Sequence, residues 1–248
     1  MPAIDLRAHL DTEMGDTLLT WACRHNQAEV AQWLLKQGAN VNRAADNGDT
    51  PLFIACQNGR TSFVQLLLDA GATVNNTHPS GLTAPWTALH LACGNGHTEC
   101  VKLLSSYGAS RKADPELGTP EEIAEAQGHA ELAAWLRATD DWTPLHHLEQ
   151  LTPKRARALL RGGAALHAGA PSPLERARTV GGEVSALLLR AARWSEDTHD
   201  LFPAPARAQA VAVLRLGYLL ASAQYPMEAV ALVDAWRHIV LPHAITRE

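Results

Sequence analysis

Histidine and cysteine are the residues of this chain best able to bind metals or to act in catalysis. Twelve histidines and four cysteines occur among its 248 residues. The only dense group of potential metal ligands is His146-His147-Leu148-Glu149. Adjacent residues on a helix point about 100° apart, so these two histidines would chelate one ion poorly. We expect no metal site and no cofactor.

No catalytic motif can be read in the sequence. Neither a Gly-x-Ser-x-Gly elbow nor a glycine-rich phosphate-binding loop occurs, and no Asp/His/Ser arrangement is readable. The sequence therefore predicts a protein that is not an enzyme.

The cysteines follow an internal spacing of the chain and not a metal-binding or disulfide pattern. Cys23, Cys56 and Cys93 each directly follow an alanine at the same place in three similar segments. Cys100 lies later in the third segment, and no Cys-x-x-Cys pair occurs. We interpret all four as small, buried, reduced thiols of an intracellular protein.

A segment with two helical stretches recurs along the chain. Four clear copies and two weaker ones begin at Thr17, Thr50, Thr87, Thr119, Trp142 and Ser172. The clear copies start 33, 37 and 32 residues apart. In the second copy, Thr50-Pro51 is expected to begin a helix, Asn58-Gly59 to end it, and Gly71 to end another helix. A unit this short cannot bury its own apolar face, so we expect the copies to stack.

These copies resemble the ankyrin repeat over roughly residues 15–192, with the last two copies degenerate. The family's pattern runs Thr-Pro-Leu-His, Ala, Gly-His, a leucine-rich helix and Gly-Ala. The resemblance implies an all-α solenoid of about six stacked helix-turn-helix units with β-hairpin fingers. It also implies that histidines hold the loops between repeats by hydrogen bonds, here His90, His97, His129 and His146. The implied function is that of a non-enzymatic scaffold, which binds another protein in a concave groove.

The ends of the chain differ from the repeats. Residues 1–14 carry Ile4, Leu6 and Leu10 and are expected to form a capping helix over the first repeat. Residues 193–248 are expected to be helical and to act either as a C-terminal cap or as a docking segment. Within them, Leu201-Phe202-Pro203 predicts an apolar plug before helices over 207–223 and 226–241.

The docking alternative rests on a similarity of layout. Ankyrin repeats followed by a short helical box are the layout of SOCS-box ubiquitin-ligase adaptors, whose C-terminal helices recruit a second complex. This chain is similar to them in layout only, because no cysteine follows Cys100 and the Leu/Cys helix of that box is missing. The adaptor is therefore the second hypothesis.

In ankyrin proteins, partners contact the finger tips and the exposed ends of each first helix. Carried over position by position, this rule selects Asp16, Arg24, His25, Asp46, Asn47, Asp49, Gln57, Asn58, Trp86, Asn95 and Trp142. Trp86 and Trp142 are large aromatic residues at positions not needed for stacking, which makes each a natural anchor for a partner. In the alternative, each of these tryptophans folds back on its own hairpin.

Two further features concern the stack itself. The connection over 75–86 carries four extra residues, with Pro79, Gly81 and Pro85 as turn-formers, and predicts an enlarged finger tip. Trp21 stands where the family pattern has Leu or Ile, and Trp33 lies in the leucine-rich helix. Both tryptophans are expected in the core.

Composition restricts the remaining classes of function. The net charge is −5 and 46% of residues are hydrophobic, which fits a folded protein. Acidic residues dominate 114–149 and basic residues dominate 151–193, which predicts solvated faces with some ion pairs. Nucleic acid is not an expected partner, because no aromatic residues are interleaved with the bases. No secretory signal or run of 18 apolar residues occurs, so we expect a cytoplasmic monomer without a membrane partner, the nucleus being the alternative location.

Overall fold

The computed structural model describes residues 17–78, 86–112, 118–192 and 200–212. The expected N-terminal cap, Asp16, the enlarged finger tip and the helix expected over 226–241 lie outside these residues. The chain divides into two compact units, Met1–Asp140 and Asp141–Glu248. Eleven α-helices and one 3-10 helix lie wholly within the described residues, which contain no β-strand.

The helices of the first unit form four helix-turn-helix repeats. They are α1 (Leu18–Arg24), α2 (Ala28–Lys36), α3 (Pro51–Gln57), α4 (Thr61–Asp69), α5 (Ala88–Gly94), α6 (Thr98–Ser106), α7 (Pro120–Ala126) and α8 (Ala130–Ala138). Each odd-numbered helix packs against the even-numbered helix that follows it. The odd-numbered helices, which we call first helices, also contact one another in order, and α4 contacts α6. The repeats of this unit are therefore stacked, as predicted.

A threonine begins the first helix of each of these repeats. Its side-chain oxygen accepts a hydrogen bond of 3.1 to 3.4 Å from the backbone N–H three residues later, and the four caps are Thr17, Thr50, Thr87 and Thr119. Such a bond satisfies one of the free donors at a helix start. Gly59 follows α3 with φ 64°, and Gly71 follows α4 with φ 91°. Glycine adopts these values at little cost, so the predicted helix ends are confirmed.

The core of the first unit is built around small residues of the first helices. The alanines at their centres are 0% exposed, namely Ala22, Ala55, Ala92 and Ala124. Side chains this small let neighbouring helices approach closely. Cys23, Cys56 and Cys93 follow three of these alanines and are also 0% exposed. The predicted burial of these cysteines is confirmed.

The two tryptophans of the first repeat differ in burial. Trp21 is half-buried and packs against the core. Trp33 is 48% exposed, so the prediction that it belongs to the core is wrong. Val30, three residues earlier on α2, is 40% exposed as well. Both residues occupy positions that a preceding repeat would cover, and α1 and α2 belong to the first repeat.

The finger between the second and third repeats closes with a short antiparallel contact. Thr77 and Thr87 form an isolated β-bridge, and the N–H of His78 donates to the carbonyl of Trp86 at 2.8 Å. In the part of the chain that the structure describes, the fingers are therefore turns with at most a single bridge.

Asparagine side chains tie successive connections together. The amide oxygen of Asn42 accepts from the N–H of Thr73 at 2.8 Å, and that of Asn75 accepts from the N–H of Ser110 at 2.8 Å. Each bond joins the connection after one repeat to the same place after the next repeat. These contacts fix the spacing of the fingers.

The second unit contains the two degenerate repeats. Its helices are a 3-10 helix (Pro144–His146), α9 (Pro153–Arg161), α10 (Pro173–Val180) and α11 (Gly182–Ala191). The first helix of the fifth repeat is thus a single 3-10 turn. Leu145 lies in this turn, and Leu148 and Leu151 follow it; all three are buried. α11 packs against both α10 and α9.

The start of the C-terminal segment is docked on these helices. Leu201 is 3% exposed and belongs to the apolar cluster of α9, α10 and α11, and Phe202 is 0% exposed. Arg161 of α9 donates to the carbonyl and to the carboxylate of Asp200, both at 2.9 Å. The predicted apolar plug is confirmed, and the helix that follows begins at residue 204, three residues earlier than predicted.

Candidate interaction surface

The first helices of the first unit end in polar residues that are exposed to solvent. We call this set the helix-end surface, and its members are Arg24, His25, Gln57, Asn58 and Asn95. They lie on the ends of α1, α3 and α5, which contact one another in order. All five were expected to contact a partner, and the structure places them on neighbouring helices.

Two members of the helix-end surface also close their own helices. The amide nitrogen of Asn58 donates to the carbonyl of Ile54 at 2.9 Å, and that of Asn95 donates to the carbonyl of Leu91 at 3.0 Å. Each of these carbonyls also accepts from the backbone N–H of the same asparagine, at 3.1 Å for Ile54 and 3.0 Å for Leu91. The amide oxygen of each asparagine remains an acceptor. The two side chains are therefore held in one orientation.

Histidines anchor these helix ends from the next repeat. Nε2 of His97 lies 3.1 Å from the carbonyl oxygen of Gln57, and Nε2 of His129 lies 3.2 Å from that of Gly94. The predicted role of these two histidines between repeats is confirmed. Gly96 makes room for the second contact, because a Cβ added there would lie 2.5 Å from the ring of His129.

The other two histidines of the family pattern make hydrogen bonds to the start of their own helices. Nδ1 of His90 accepts from the N–H of Thr87 at 3.1 Å, and Nδ1 of His146 accepts from the N–H of Thr143 at 2.8 Å. Both bonds stay within one repeat, where they complete a capping box.

Asp49 is the centre of a polar cluster beside the helix-end surface. Its carboxylate lies 3.5 Å from the guanidinium of Arg24, 3.2 Å from Nε2 of His78 and 2.7 Å from the amide nitrogen of Asn47. The Asp49 and His78 side chains are only 14% and 13% exposed. The ring of His78 stacks on Phe53 with centroids 4.7 Å apart. Asp49 therefore joins the end of α1, its own finger and the connection after the second repeat, and it offers little free surface.

His78 escaped the sequence reasoning. It lies in the connection over 75–86, which carries the four extra residues, and it has no counterpart in the family pattern. Its neighbours come from the second repeat, so only the fold brings it to Asp49. No spacing signal could have found it.

The remaining finger residues of the first unit are partly available. Asp46 and Asn47 are exposed, and Asn47 also accepts from the N–H of Asp49 at 3.0 Å. Trp86 is half-buried, and its ring meets that of His90 edge to face with centroids 6.4 Å apart. Part of the Trp86 side chain remains open to solvent.

A family model matches this succession of Thr-capped helix pairs. The model described as ankyrin repeats (3 copies) matches residues 4–78 and 76–160, more than half of the 248 residues. The chain belongs to the ankyrin-repeat family. No curated protein sequence matches it. Ankyrin repeats are generally protein–protein interaction modules and are typically non-enzymatic.

Trp142 belongs to the second unit, whereas the residues of the helix-end surface belong to the first unit. Its ring stacks on His146 with centroids 5.5 Å apart, meets His147 edge to face at 5.4 Å, and lies 4.2 Å from the guanidinium carbon of Arg176. Arg176 also pairs with Glu149 at 2.9 Å. The dense His/Glu group of this ankyrin chain is thus a packed cluster around Trp142, which supports the alternative in which this tryptophan folds back.

Burial raises the pKa values of the cysteine thiols in the ankyrin core. Desolvation raises the pKa of Cys23 and of Cys93 to about 12, and it raises that of Cys56 well above its ordinary value. Thiols in this state are poor nucleophiles. Among the described residues, no three His, Cys, Asp or Glu side chains are grouped so as to hold a metal ion. No helix in the same part of the chain is both long enough and apolar enough to span a membrane.

Charged side chains of the acidic and basic stretches form ion pairs within their own repeat or unit. Arg137 of α8 lies 2.7 Å from Glu121 and 3.2 Å from Glu125 of α7. In the second unit, the pairs are those of Arg176 with Glu149 and of Arg161 with Asp200. Exposed pairs of this kind contribute about 0–1 kcal/mol each. They reduce the charge contrast that the sequence shows between its acidic and basic stretches.

Proposed function

We propose that this chain is a scaffold that binds a partner protein through the helix-end surface of its first unit. The observation that carries the proposal is the exposure of these side chains on helix ends that histidines and cap bonds hold in place. A surface fixed before binding loses little conformational entropy when a partner arrives. The family's general role in protein binding agrees with this proposal.

The chemistry of the helix-end surface favours a polar segment of the partner. Arg24 and His25 lie at one end, and neutral amides follow at Gln57, Asn58 and Asn95. Amide oxygens accept hydrogen bonds and amide nitrogens donate them, so they suit the backbone groups of an extended chain. We therefore expect a partner segment that presents its backbone along the row of amides.

Trp86 is the proposed apolar anchor beside this row. Trp86 and Trp142 are both half-buried, but the ring of Trp142 is packed by two histidines and an arginine, whereas the ring of Trp86 meets His90 edge to face. Trp86→Ala is expected to weaken partner binding by about 1–3 kcal/mol while folding is kept. Calorimetric titration with the purified partner measures this change, and an unchanged affinity would remove Trp86 from the site.

The test of the site compares two arginine substitutions in the same repeat. Gln57→Arg changes the helix-end surface, whereas Ser62→Arg changes an exposed residue on α4, the other helix of the same repeat. Each full-length variant is used for affinity capture from a native extract, and the captured proteins are quantified by mass spectrometry. Partners that Gln57→Arg loses at least about tenfold and Ser62→Arg retains would support the proposal. Equal capture by both variants would contradict it.

For the C-terminal segment, we propose a cap rather than the docking module of an adaptor. Leu201 and Phe202 are buried against the last two repeats, and Arg161 holds Asp200 by two bonds. Terminal units of a solenoid need such a covering element. This role leaves protein binding to the helix-end surface.

A further inference from the structure

Arg60 departs from the repeat pattern at the junction of the first two repeats. After Gly59 it occupies the place of the histidine in the Gly-His pairs of the next two repeats, His97 and His129. The rings of these histidines lie 3.1 and 3.2 Å from carbonyl oxygens at the end of the preceding first helix. Arg60 makes no corresponding bond to a described residue. It therefore does not anchor the end of α1 as the histidines anchor α3 and α5.

The guanidinium of Arg60 has no partner among the residues that the structure describes. Its Nε–H is buried without a hydrogen-bond acceptor, and its other nitrogens make no hydrogen bond or ion pair there. A buried donor without an acceptor costs free energy, so no polar contact within the stack explains an arginine at this position. The side chain as a whole is only half-buried, which leaves its terminal nitrogens open to solvent. Arg60 is therefore a cation available to a ligand.

Two more basic residues lie at the end of α1. Arg24 is the last residue of this helix, and His25 follows it as the C-cap. The same two positions are neutral in the later repeats, where they hold Gln57, Gly94, Ala126, Asn58, Asn95 and Gln127. The carbonyl of Gln57, which His97 contacts, corresponds to the carbonyl of Arg24. The repeat geometry thus places Arg60 beside this helix end, and we call Arg24, His25 and Arg60 the basic end.

The acids around the basic end leave part of its positive charge unpaired. Asp49 pairs with Arg24 at 3.5 Å, and the side chain of this acid is only 14% exposed. Glu29 of α2 and Asp46 of the first finger are exposed, but neither forms an ion pair with Arg60 in the described part of the chain. The charge complementary to this end of the helix-end surface is therefore negative.

We propose that the basic end binds a carboxylate of the partner, supplied by an Asp or Glu side chain at one end of the bound segment. A guanidinium donates two N–H groups to one carboxylate, and an imidazole N–H of His25 can donate to the same group. The amides beyond the basic end are neutral and can bond a backbone in either direction. The carboxylate therefore sets the direction of the segment. This proposal rests on the proposed binding of a partner at the helix-end surface.

A display library of linear decapeptides, selected on the full-length chain, tests this proposal. The same library is selected on Arg60→Gln, Arg60→Glu, Lys36→Gln and Gln57→Tyr, after circular dichroism has shown that each variant is folded. Lys36→Gln is the matched control, because Lys36 is an exposed basic residue on α2 of the same unit. Gln57→Tyr is a bulky neutral change that reports whether the peptides bind at the helix-end surface.

We expect the selected peptides to share an Asp or Glu at one position and to bind Arg60→Gln at least about tenfold more weakly. Arg60→Glu should select Lys or Arg at that position, and Lys36→Gln should select the same peptides as the unchanged chain. Peptides that Gln57→Tyr loses, but that lack a shared acid or bind Arg60→Gln equally well, would overturn this proposal and leave the proposed function standing. Peptides that Gln57→Tyr retains, or no selected peptides at all, would contradict both.

Discussion

The carboxylate of Asp49 contacts Arg24 at the end of α1, Asn47 in its own finger and His78 in the connection after the second repeat. Asp49→Ala removes these contacts, including the 3.2 Å approach of the carboxylate to Nε2 of His78. We predict a loss of about 1–2 kcal/mol in the free energy of unfolding. Urea titration followed by circular dichroism measures the loss.

Asp46 provides the control for this substitution. It lies in the same finger, three residues away, and is exposed. Asp46→Ala should change the free energy of unfolding by less than about 0.5 kcal/mol. Equal effects of the two substitutions would show that the Asp49 cluster adds no stability.

His146 makes the second unit sensitive to acid. Burial lowers the pKa of its imidazole below the ordinary value of 6.5, and Nδ1 accepts a hydrogen bond that a proton there would abolish. The unfolded chain therefore binds more protons than the folded chain near this pH. The resulting stability is present above the ordinary value and is lost as the pH falls through the folded pKa.

Thermal unfolding between about pH 7 and pH 5 checks this prediction. His146→Gln should flatten the dependence of the midpoint on pH, whereas His167→Gln, at an exposed position, should leave it as in the unchanged chain. A pH dependence that survives His146→Gln would assign the effect to other groups.

At the scale of elements, the stacked repeats depend on close contacts between a glycine and the next repeat. Gly96 and Gly128 occupy the same repeat position, with φ 71° and 83°. A Cβ at Gly96 would lie 2.5 Å from the His129 ring, whereas a Cβ at Gly128 meets no described atom within 4 Å. Gly128→Ala should cost about 1–2 kcal/mol from backbone strain alone. Gly96→Ala should cost at least about 1 kcal/mol more, because it also displaces the His129 bond.

Urea unfolding of the two variants separates strain from contact. Both glycines have the same φ region and the same Gly-His motif. They differ in whether a histidine ring from the next repeat lies against the glycine. Losses of equal size would mean that the His129 contact adds nothing to the stack.

The residues of the repeat motifs themselves determine where most of the helices begin and end. Thr50-Pro51 and Gly71 act through local backbone rules, so their helix ends could be predicted from sequence. The exposure of Trp33 could not be predicted, because the same position is covered in later repeats and open only in the first. His78 is a similar case, since its partner Asp49 lies in a different repeat. Single residues thus reveal the repeat, but its neighbours decide what each residue does.

At the scale of the whole molecule, the two units differ in how regular their repeats are. The first unit has four clear repeats, and its fourth repeat replaces the buried leucine and cysteine of α3 and α5 with Glu121 and Glu125. These acids pair with Arg137 and are at least 31% exposed. Our proposal assigns the binding function to the regular repeats of the first unit.

Site-specific photo-crosslinking tests this placement most directly. A benzophenone amino acid replaces Gln57 in one full-length chain and Ser62 in another, and both chains are irradiated in native extract. We predict discrete protein adducts from position 57 and none from position 62. Adducts from position 62 alone, or equally from both positions, would contradict binding at the helix-end surface.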